Sequence, residues 1–308
     1  MGKKGLSILI IFLILFGSVN IGFSQNKNLS RQEVEKLIEE VATKRGIPSV
    51  ILKCIAKLES NFRQFDSKGK PFIAAGKYIG IMQISKDEKE YNLERLKYDP
   101  LYNIEAGANH LLNKWEWVNS QMTRIGNMDP NILEHWYFTL WAYNGFLERN
   151  NPNVRPGKTY QERIIATAQK DYNQKITPIS KKHMPSRGGW IYRNKDIPTP
   201  KEYHEGDIIK YAPEDIVKAD TMEKAKGKEP LILYDKPRGK AIGKVSDSFT
   251  MTILEGPVLN RGYYFYKVKV NEDGRTGWVY GNWIVKVPVE EEPAEYEELE
   301  TGLGANEN

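Results

Sequence analysis

The hydrophobic periodicity of this chain changes once along its length, and that change constrains the fold more than any other feature. From residue 31 to about 175, apolar residues recur at spacings of three and four, which is the pattern of amphipathic helices. From Pro230 onward, short apolar runs alternate with turn residues, which is the pattern of β-strands. We therefore predict an α+β multidomain protein, with an all-α N-terminal domain followed by a small all-β barrel or sandwich.

Composition is consistent with two domains, because the 308 residues are 40% hydrophobic and 28% charged. We place the helical domain at residues 26–175 and the all-β domain at residues 229–288. Residues 176–228 are rich in Pro, Gly and Lys and are predicted to be a partly ordered linker. Residues 289–308 are acidic and are predicted to be a disordered tail.

The N-terminus has the pattern of an export signal. Lys3 and Lys4 precede the apolar run 6–16, and small and polar residues follow as far as Gln25. We predict a signal peptide at residues 1–24, with an uncleaved membrane anchor as the alternative. The protein is then exported, to the periplasm or to the cell wall and extracellular space, and touches the membrane only through this segment.

Charge and reactive residues exclude several function classes. The net charge of +5 includes eight glutamates in the last twenty residues, which leaves +13 on the rest of the chain. That charge suits an acidic polymer, but export argues against nucleic acid as the partner. The single cysteine, Cys54, lies on an apolar helix face and is predicted to be a buried structural thiol. The histidines show no metal-ligand spacing, so we predict neither a metal nor a cofactor, and we expect a monomer.

Local signals bound the predicted helices. Ser30 and Glu33 form a capping box that opens a helix reaching about Arg45, and Asp99-Pro100 opens another reaching Gln121. Asp129-Pro130 is predicted to open an aromatic helix reaching about Leu147. A second capping box, Thr159 with Glu162, opens the last helix, which we extend to about Lys175.

One carboxyl group interrupts an otherwise apolar helix face. Between Ile47 and Phe65 the apolar residues share one face, and Glu59 lies on its edge near the helix C-terminus. The helix dipole and partial burial both disfavour the carboxylate there, so both raise the pKa of Glu59. A general acid working near neutral pH needs such a pKa, whereas a solvated glutamate at a helix end is the alternative.

Two further stretches carry polar groups among apolar ones. Gln83 lies within the short apolar run 79–85, where Gly80 indicates an unusual turn. The aromatic helix ends in Ala142-Tyr143-Asn144-Gly145. Either stretch is a buried segment or the wall of a cleft. In the second domain six aromatic residues form either a ligand groove or a core: Tyr263, Tyr264, Tyr266, Trp278, Tyr280 and Trp283.

Four motifs in order make residues 30–175 resemble the catalytic domain of soluble lytic transglycosylases, which has the goose-type lysozyme fold. The motifs are Glu59-Ser60-Asn61-Phe62, Gly80-Ile81-Met82-Gln83-Ile84, Asn103-Ile104 with Gly107 and Leu111, and Ala142-Tyr143-Asn144-Gly145. The chain departs from the family at Ala74, Lys77 and Tyr78, where a serine and a Gly-Ala pair are common. The second domain resembles bacterial SH3-type domains through Gly277-Trp278-Val279 and Trp283-Ile284.

The resemblance implies a peptidoglycan lytic transglycosylase. It would cleave the β-1,4 bond between N-acetylmuramic acid and N-acetylglucosamine and form a 1,6-anhydro ring. Glu59 would be the catalytic acid and base, and the SH3-type domain would bind cell wall. The substrate-binding residues would be Ser60, Met82, Gln83, Tyr143 and Asn144.

Two other functions stay open. A hydrolytic muramidase would need a second carboxylate, for which Asp66, Asp87 and Asp99 are the candidates. A non-catalytic cell-wall binding protein would need no intact acid. The sequence does not distinguish exo from endo cleavage.

Overall fold

The computed structural model describes residues 27–288, which form two compact units. Unit 1 runs to Ile209 and includes Thr221–Glu229 and Leu259–Tyr263. Unit 2 comprises Lys210–Asp220, Pro230–Val258 and the chain from Tyr264. The predicted signal peptide and acidic tail lie outside the described residues. Within the described part of the chain, no helix has the length and apolar character needed to span a bilayer.

Unit 1 is built from six helices in the described residues. They are α1 (Arg31–Arg45), α2 (Ser49–Ser60), α3 (Leu93–Tyr98), α4 (Pro100–Gln121), α5 (Tyr137–Tyr143) and α6 (Tyr160–Tyr172). The longest, α4, lies at the centre, and its Trp115 ring stacks on Trp136 at 4.2 Å between centroids. Both indoles are fully buried, so this pair lies at the centre of the core.

Local capping chemistry explains the helix starts that the sequence predicted. Ser30 accepts a hydrogen bond from the Glu33 backbone while the Glu33 carboxylate accepts one from the Ser30 backbone, and Thr159 and Glu162 repeat this arrangement at α6. The Asp99 side chain caps α4 with Pro100 in its first turn. These predictions are confirmed, although α6 ends at Tyr172 rather than near Lys175.

The prediction of a helix from residue 129 to 147 is wrong in its bounds. The Asp129 side chain accepts a hydrogen bond from the Asn131 backbone and forms a local turn, and Ile132 is extended. A 3₁₀ turn at Leu133–Trp136 follows, and α5 covers only Tyr137–Tyr143. Local polar bonding therefore delays the helix by eight residues relative to the predicted start at 129.

The N-terminal domain is mainly helical, as predicted, but it is not all-α. Three short antiparallel strands follow α2, in the order β1 (Ile73–Ala74), β2 (Tyr78–Ile79) and β3 (Ile84–Ser85). Positive φ angles at Ala75 and Gly76 reverse the chain between β1 and β2, and Gly80 and Gln83 reverse it again before β3. The apolar run 79–85 is thus a hairpin rather than a helix.

Much of the predicted linker is ordered and belongs to unit 1. Residues 195–197 form β5 (Lys195–Ile197), which pairs in parallel with β4 (Thr123–Ile125). The buried Glu134 carboxylate accepts hydrogen bonds from the backbone of Thr177 and His204 at 2.8 and 2.9 Å. This segment therefore folds on the helices that precede it.

Unit 2 is built around a seven-stranded sheet. A separate two-stranded hairpin of β7 (Glu223–Lys224) and β8 (Gly227–Lys228) belongs to unit 1. The strands of the large sheet are β6 (Ile216–Ala219), β9 (Leu231–Tyr234), β10 (Ala241–Val245), β11 (Thr250–Asn260), β12 (Tyr263–Val270), β13 (Thr276–Tyr280) and β14 (Ile284–Lys286). Their order is β10-β9-β13-β12-β11-β6-β14. The all-β prediction is confirmed, but among the described residues the sheet does not close into a barrel.

Burial divides the aromatic residues of the C-terminal region. Tyr263, Tyr264 and Tyr266 are buried, whereas Trp278 and Trp283 are half-buried. The Phe265 ring, also buried, packs on Tyr280 at 4.2 Å between centroids. Half of the six residues predicted as a groove or a core are therefore buried side chains.

Candidate active site

Helix α2 ends one residue after Glu59, and the cause lies in the backbone. Asn61 adopts the left-handed conformation at φ 54°, and its N–H donates to the carbonyls of Ala56 and Lys57. Phe62 follows at φ 64° with its side chain buried. The chain turns away at this point and leaves Glu59 half-buried in the last turn.

The Glu59 carboxyl lies among side chains from α4, from α6 and from the residue that follows α5. Burial raises the pKa of Glu59, and four groups oppose that rise. In order of decreasing effect, they are the Tyr160 hydroxyl, the Arg163 charge, the Asn144 amide and the His110 ring. Burial outweighs their sum, so the carboxyl holds its proton to a higher pH than an exposed glutamate does.

The Tyr160 hydroxyl lowers the pKa of Glu59 more than the other three groups do, but it is poorly aligned with the carboxyl. It is buried and makes no hydrogen bond of good geometry to any described residue. Its interaction with Glu59 nevertheless lowers the pKa of the carboxyl, and burial raises the pKa of the phenol itself. The hydroxyl lies near the carboxyl but does not point at it, which explains why it shifts the pKa of Glu59 without forming a hydrogen bond of good geometry. We therefore describe Tyr160 as a close neighbour of Glu59 rather than as its hydrogen-bond partner.

Two buried amides hold the loop between β2 and β3 in place. The Asn103 amide oxygen accepts from the Met82 backbone at 2.8 Å, and its nitrogen donates to the Ile79 carbonyl at 3.0 Å. The Gln64 amide oxygen accepts from the Ile81 backbone at 3.3 Å. Gly80 fits between them at φ 72°, where a Cβ would lie 2.5 Å from both amides. Only glycine meets both demands at this position.

Ser60 and Met82 lie behind the wall of the site rather than on its surface. The Ser60 hydroxyl is 1% exposed, donates to the Ile81 carbonyl at 2.9 Å and accepts from the Arg63 backbone at 3.0 Å. Met82 is 0% exposed. Neither side chain is available to contact a ligand in this structure, so direct substrate contact by them, as the resemblance implied, is not supported.

Gln83 and Tyr143 both hydrogen-bond to carbonyls of the loop between β2 and β3. Gln83 is half-buried at φ 52°, and its amide nitrogen donates to the Gly80 carbonyl at 2.7 Å. The Tyr143 hydroxyl donates to the Met82 carbonyl at 2.9 Å. The Tyr143 bond ties the loop to α5, and the Ser60 bond to the Ile81 carbonyl ties it to α2.

Asn144 links α5 to the start of α6. Its side-chain oxygen accepts from the Asn150 amide at 3.1 Å, and the Asn150 oxygen accepts from the Tyr160 backbone at 3.3 Å. The Asn144 side chain also lowers the pKa of the Glu59 carboxyl. Of the predicted site residues, Asn144 is therefore the one whose side chain acts on the Glu59 carboxyl, while Tyr143 bonds to Met82.

His110 lies beside the site, although the sequence assigned no functional role to any histidine. Its ring meets Tyr143 edge-on at 5.2 Å between centroids, and its Nδ1 lies 3.1 and 3.2 Å from the two carboxylate oxygens of Glu88. Tyr160, Arg163 and Glu88 were also missed. His110 lies three residues after Gly107 on α4, which is the only sequence signal that pointed toward it.

The carboxylates predicted as partners for Glu59 are engaged elsewhere. Asp66 accepts from the backbone of its own loop, at Lys68 and Lys70. Asp87 pairs with Lys77 at 2.8 Å, and Asp99 caps α4 and pairs with Arg95. Across residues 27–288, no group of three or more His, Cys, Asp or Glu side chains is arranged to hold a metal ion.

Comparison with known proteins identifies the class of the helical region. Residues 36–165, less than half of the chain, match the family model of the transglycosylase SLT domain. This match indicates peptidoglycan lytic transglycosylase activity as the general class. No curated protein and no solved structure matches the chain.

Proposed function

We propose that this protein is a lytic transglycosylase that cleaves the β-1,4 bond between N-acetylmuramic acid and N-acetylglucosamine in peptidoglycan. The product end would be a 1,6-anhydro ring, and water would take no part. The observation that carries the proposal is the Glu59 carboxyl, half-buried with a raised pKa, within the residues that match the transglycosylase SLT domain.

Glu59 would serve twice in one turnover. In its protonated form it would donate its proton to the glycosidic oxygen, while the substrate's own acetamide oxygen attacks the anomeric carbon from the other face. The resulting carboxylate would then take the proton of the muramic 6-hydroxyl, whose oxygen displaces the acetamide and closes the ring. A raised pKa supports the first step, because the carboxyl keeps its proton to a higher pH than an exposed glutamate does.

The neighbouring residues would orient the sugar rather than react. Gln83 and Asn144 are half-buried amides that suit acetamide and hydroxyl groups of the substrate. Tyr143 would hold the loop wall through its bond to the Met82 carbonyl. Ser60 and Met82, both buried, would act by fixing that wall.

Hydrolysis by a muramidase is the competing reaction. It needs a second carboxylate that holds a water molecule across from the acid. Asp66, Asp87 and Asp99 are each bound to other partners, and the Glu88 carboxylate is paired with His110. Mass spectrometry of muropeptides after digestion decides between the two reactions: anhydro ends support our proposal, and reducing ends overturn it.

Substitution of Glu59 by glutamine tests the catalytic assignment. General acid and base catalysis contributes about 10²–10⁴-fold, so we expect lysis of purified sacculi to fall at least about 100-fold. Binding to sacculi should persist. Glu94→Gln is the matched control, because Glu94 is an exposed helix glutamate with a side chain 69% accessible. Lysis by the Glu59→Gln protein at the parental rate would refute the assignment.

We further propose export to the cell wall and a wall-binding role for unit 2 as an SH3-type module. The half-buried Trp278 and Trp283 support a ligand surface there, because amphipathic rings stack on sugars and peptides. Co-sedimentation of the Glu59→Gln protein with sacculi should weaken when Trp278 is replaced by alanine. Unchanged co-sedimentation would argue against this role.

A further inference from the structure

Three aromatic rings form a cluster that the proposed chemistry does not use. The rings of Trp117 and Phe146 lie 5.0 Å apart between centroids, and Trp190 lies 5.2 Å from Phe146 and 6.1 Å from Trp117. Trp190 is 58% exposed, whereas the other two are half-buried. We call these three residues the aromatic cluster. An exposed indole fixed beside two further rings is the kind of surface that marks a binding site.

Hydrogen bonds hold the segment that presents Trp190. The amide of Asn151, which is 0% exposed, donates to the carbonyls of Pro185 and Gly188 at 2.9 and 2.8 Å. The Gly188 N–H donates to the Glu148 carboxylate at 3.1 Å. The segment is therefore fixed at several points before the chain reaches Trp190.

Close backbone packing completes the arrangement. A Cβ at Gly189 would lie 2.3 Å from the Phe146 carbonyl oxygen and 2.6 Å from the Glu148 nitrogen. Residue 189 must be glycine for the chain to approach the backbone of residues 146–148 so closely. Trp190 follows directly, so its place beside Phe146 is set by the fold and not by a free loop.

The aromatic cluster continues the segment that reaches the catalytic residue. The Asn144 side chain acts on the Glu59 carboxyl. Phe146 is two residues after Asn144, so the Cα atoms of Asn144 and Phe146 are at most about 7.6 Å apart. We propose that the aromatic cluster binds further sugars of the glycan strand whose scissile bond lies at Glu59. This inference rests on the proposed function, and it adds a binding site remote from the bond that breaks.

The chemistry of the rings favours a glycan over a protein partner. Pyranose rings present C–H groups on flat faces, and the negative face of an aromatic ring attracts such polarised hydrogens. Three partly buried rings offer far less than the roughly 800 Å² per partner that a stable protein interface needs. A glycan strand needs only the smaller area, and under the proposed function its scissile bond would lie at Glu59, close in the chain fold to Asn144 and Phe146.

Trp190 lies outside the matched transglycosylase domain at residues 36–165. The other two rings, Trp117 and Phe146, lie inside the matched domain, so the segment after residue 165 contributes the third ring of the aromatic cluster. The consequence is a preference for long strands: sugars beyond the cleft gain contacts that a short fragment lacks.

The test measures binding separately from cleavage. We would titrate the Glu59→Gln protein by calorimetry with chitooligosaccharides of increasing length, whose β-1,4-linked N-acetylglucosamine units serve as probe. Adding Trp190→Ala should weaken the longest oligomer roughly three- to tenfold and leave the disaccharide unchanged. Trp190→Phe should restore most of the loss. Tyr203→Ala is the control, because Tyr203 is 50% exposed and has no ring partner among the described residues.

Each other outcome rejects the inference. Equal affinity of the Trp190→Ala protein for all lengths overturns it, and so does an equal loss at all lengths, which indicates a distorted cleft. If sedimentation shows a dimer that Trp190→Ala dissolves, the aromatic cluster is an interface between copies and the inference fails. Failure of the proposed function reads differently: the parent protein would not cleave sacculi, while length-dependent binding through Trp190 would persist.

Discussion

Replacement of Gly107 by alanine tests how tightly the wall of the candidate site is built. Gly107 lies on α4 and faces Met82, and an added Cβ would lie 2.5 Å from the Cβ and Cγ of that methionine. Met82 cannot retreat easily, because its N–H donates to Asn103 and its carbonyl accepts from Tyr143. The extra methyl group must therefore push the loop that carries Gln83.

Two effects of opposite sign set the size of the change. Alanine is favoured over glycine inside a helix by about 1 kcal/mol. Overpacking a tight contact costs about 1–3 kcal/mol, and the close atoms of Met82 include its Cβ, which has no freedom to rotate away. We expect a net loss of about 1 kcal/mol, which for a unit of this size lowers the melting midpoint by about 3 °C.

Thermal denaturation and sacculus lysis would be measured for Gly107→Ala, Met82→Ala and the double variant. Lysis should fall in the Gly107→Ala protein, because displacement of Met82 moves Tyr143 and Gln83. The cost of Gly107→Ala should shrink in the Met82→Ala background, where two of the three close atoms are gone, with a coupling of at least about 0.5 kcal/mol. A raised midpoint, as helix propensity alone predicts, or a zero coupling would refute the reasoning.

Three further substitutions test the electrostatics and the packing of unit 1. Glu59→Gln should melt at a higher temperature than the parent at neutral pH, because burial raises the pKa of Glu59 and so disfavours its carboxylate in the folded state. The difference in melting midpoint should vanish below about pH 4, and a lower midpoint for Glu59→Gln at about pH 7 would contradict this. Tyr160→Phe removes an interaction that lowers the same pKa, so the alkaline limb of the lysis profile should move to higher pH; a move to lower pH would refute it. Glu134→Gln should cost about 2 kcal/mol, because the buried carboxylate accepts from the backbone of Thr177 and His204, and limited proteolysis should then cut the segment after α6 first; unchanged stability would be inconsistent with those bonds.

Features set by neighbouring residues could be predicted from the sequence. Capping boxes at Ser30 and Thr159 predicted two helix starts, and the change to short apolar runs after Pro230 predicted the β-rich region. Features set by distant residues could not be predicted. The parallel pairing of β4 with β5 joins segments about 70 residues apart, and neither segment alone carries the signal of a parallel strand.

The candidate site divides in the same way. Glu59 was visible because it interrupts an apolar helix face, and Gln83 because it interrupts an apolar run. His110 could not be predicted, because its pairing with Glu88 and its contact with Tyr143 arise only when α4 packs beside α5. Its sequence context, an amphipathic helix, is equally typical of a core histidine.

The pKa of Glu59 shows why the acid could be predicted and its tuning could not. Burial, which raises the pKa, follows from the position of Glu59 on its own helix. The opposing groups come from α4, α6 and the residue after α5, and each reaches the carboxyl through tertiary packing. If those groups were absent, the Glu59 carboxyl would hold its proton more tightly. Its carboxylate would then take up a proton readily, but the protonated acid would donate it slowly to the glycosidic oxygen. In the proposed mechanism one residue acts as acid and then as base and needs both influences, so the side chains around Glu59 would matter to the reaction without exchanging a proton with the substrate.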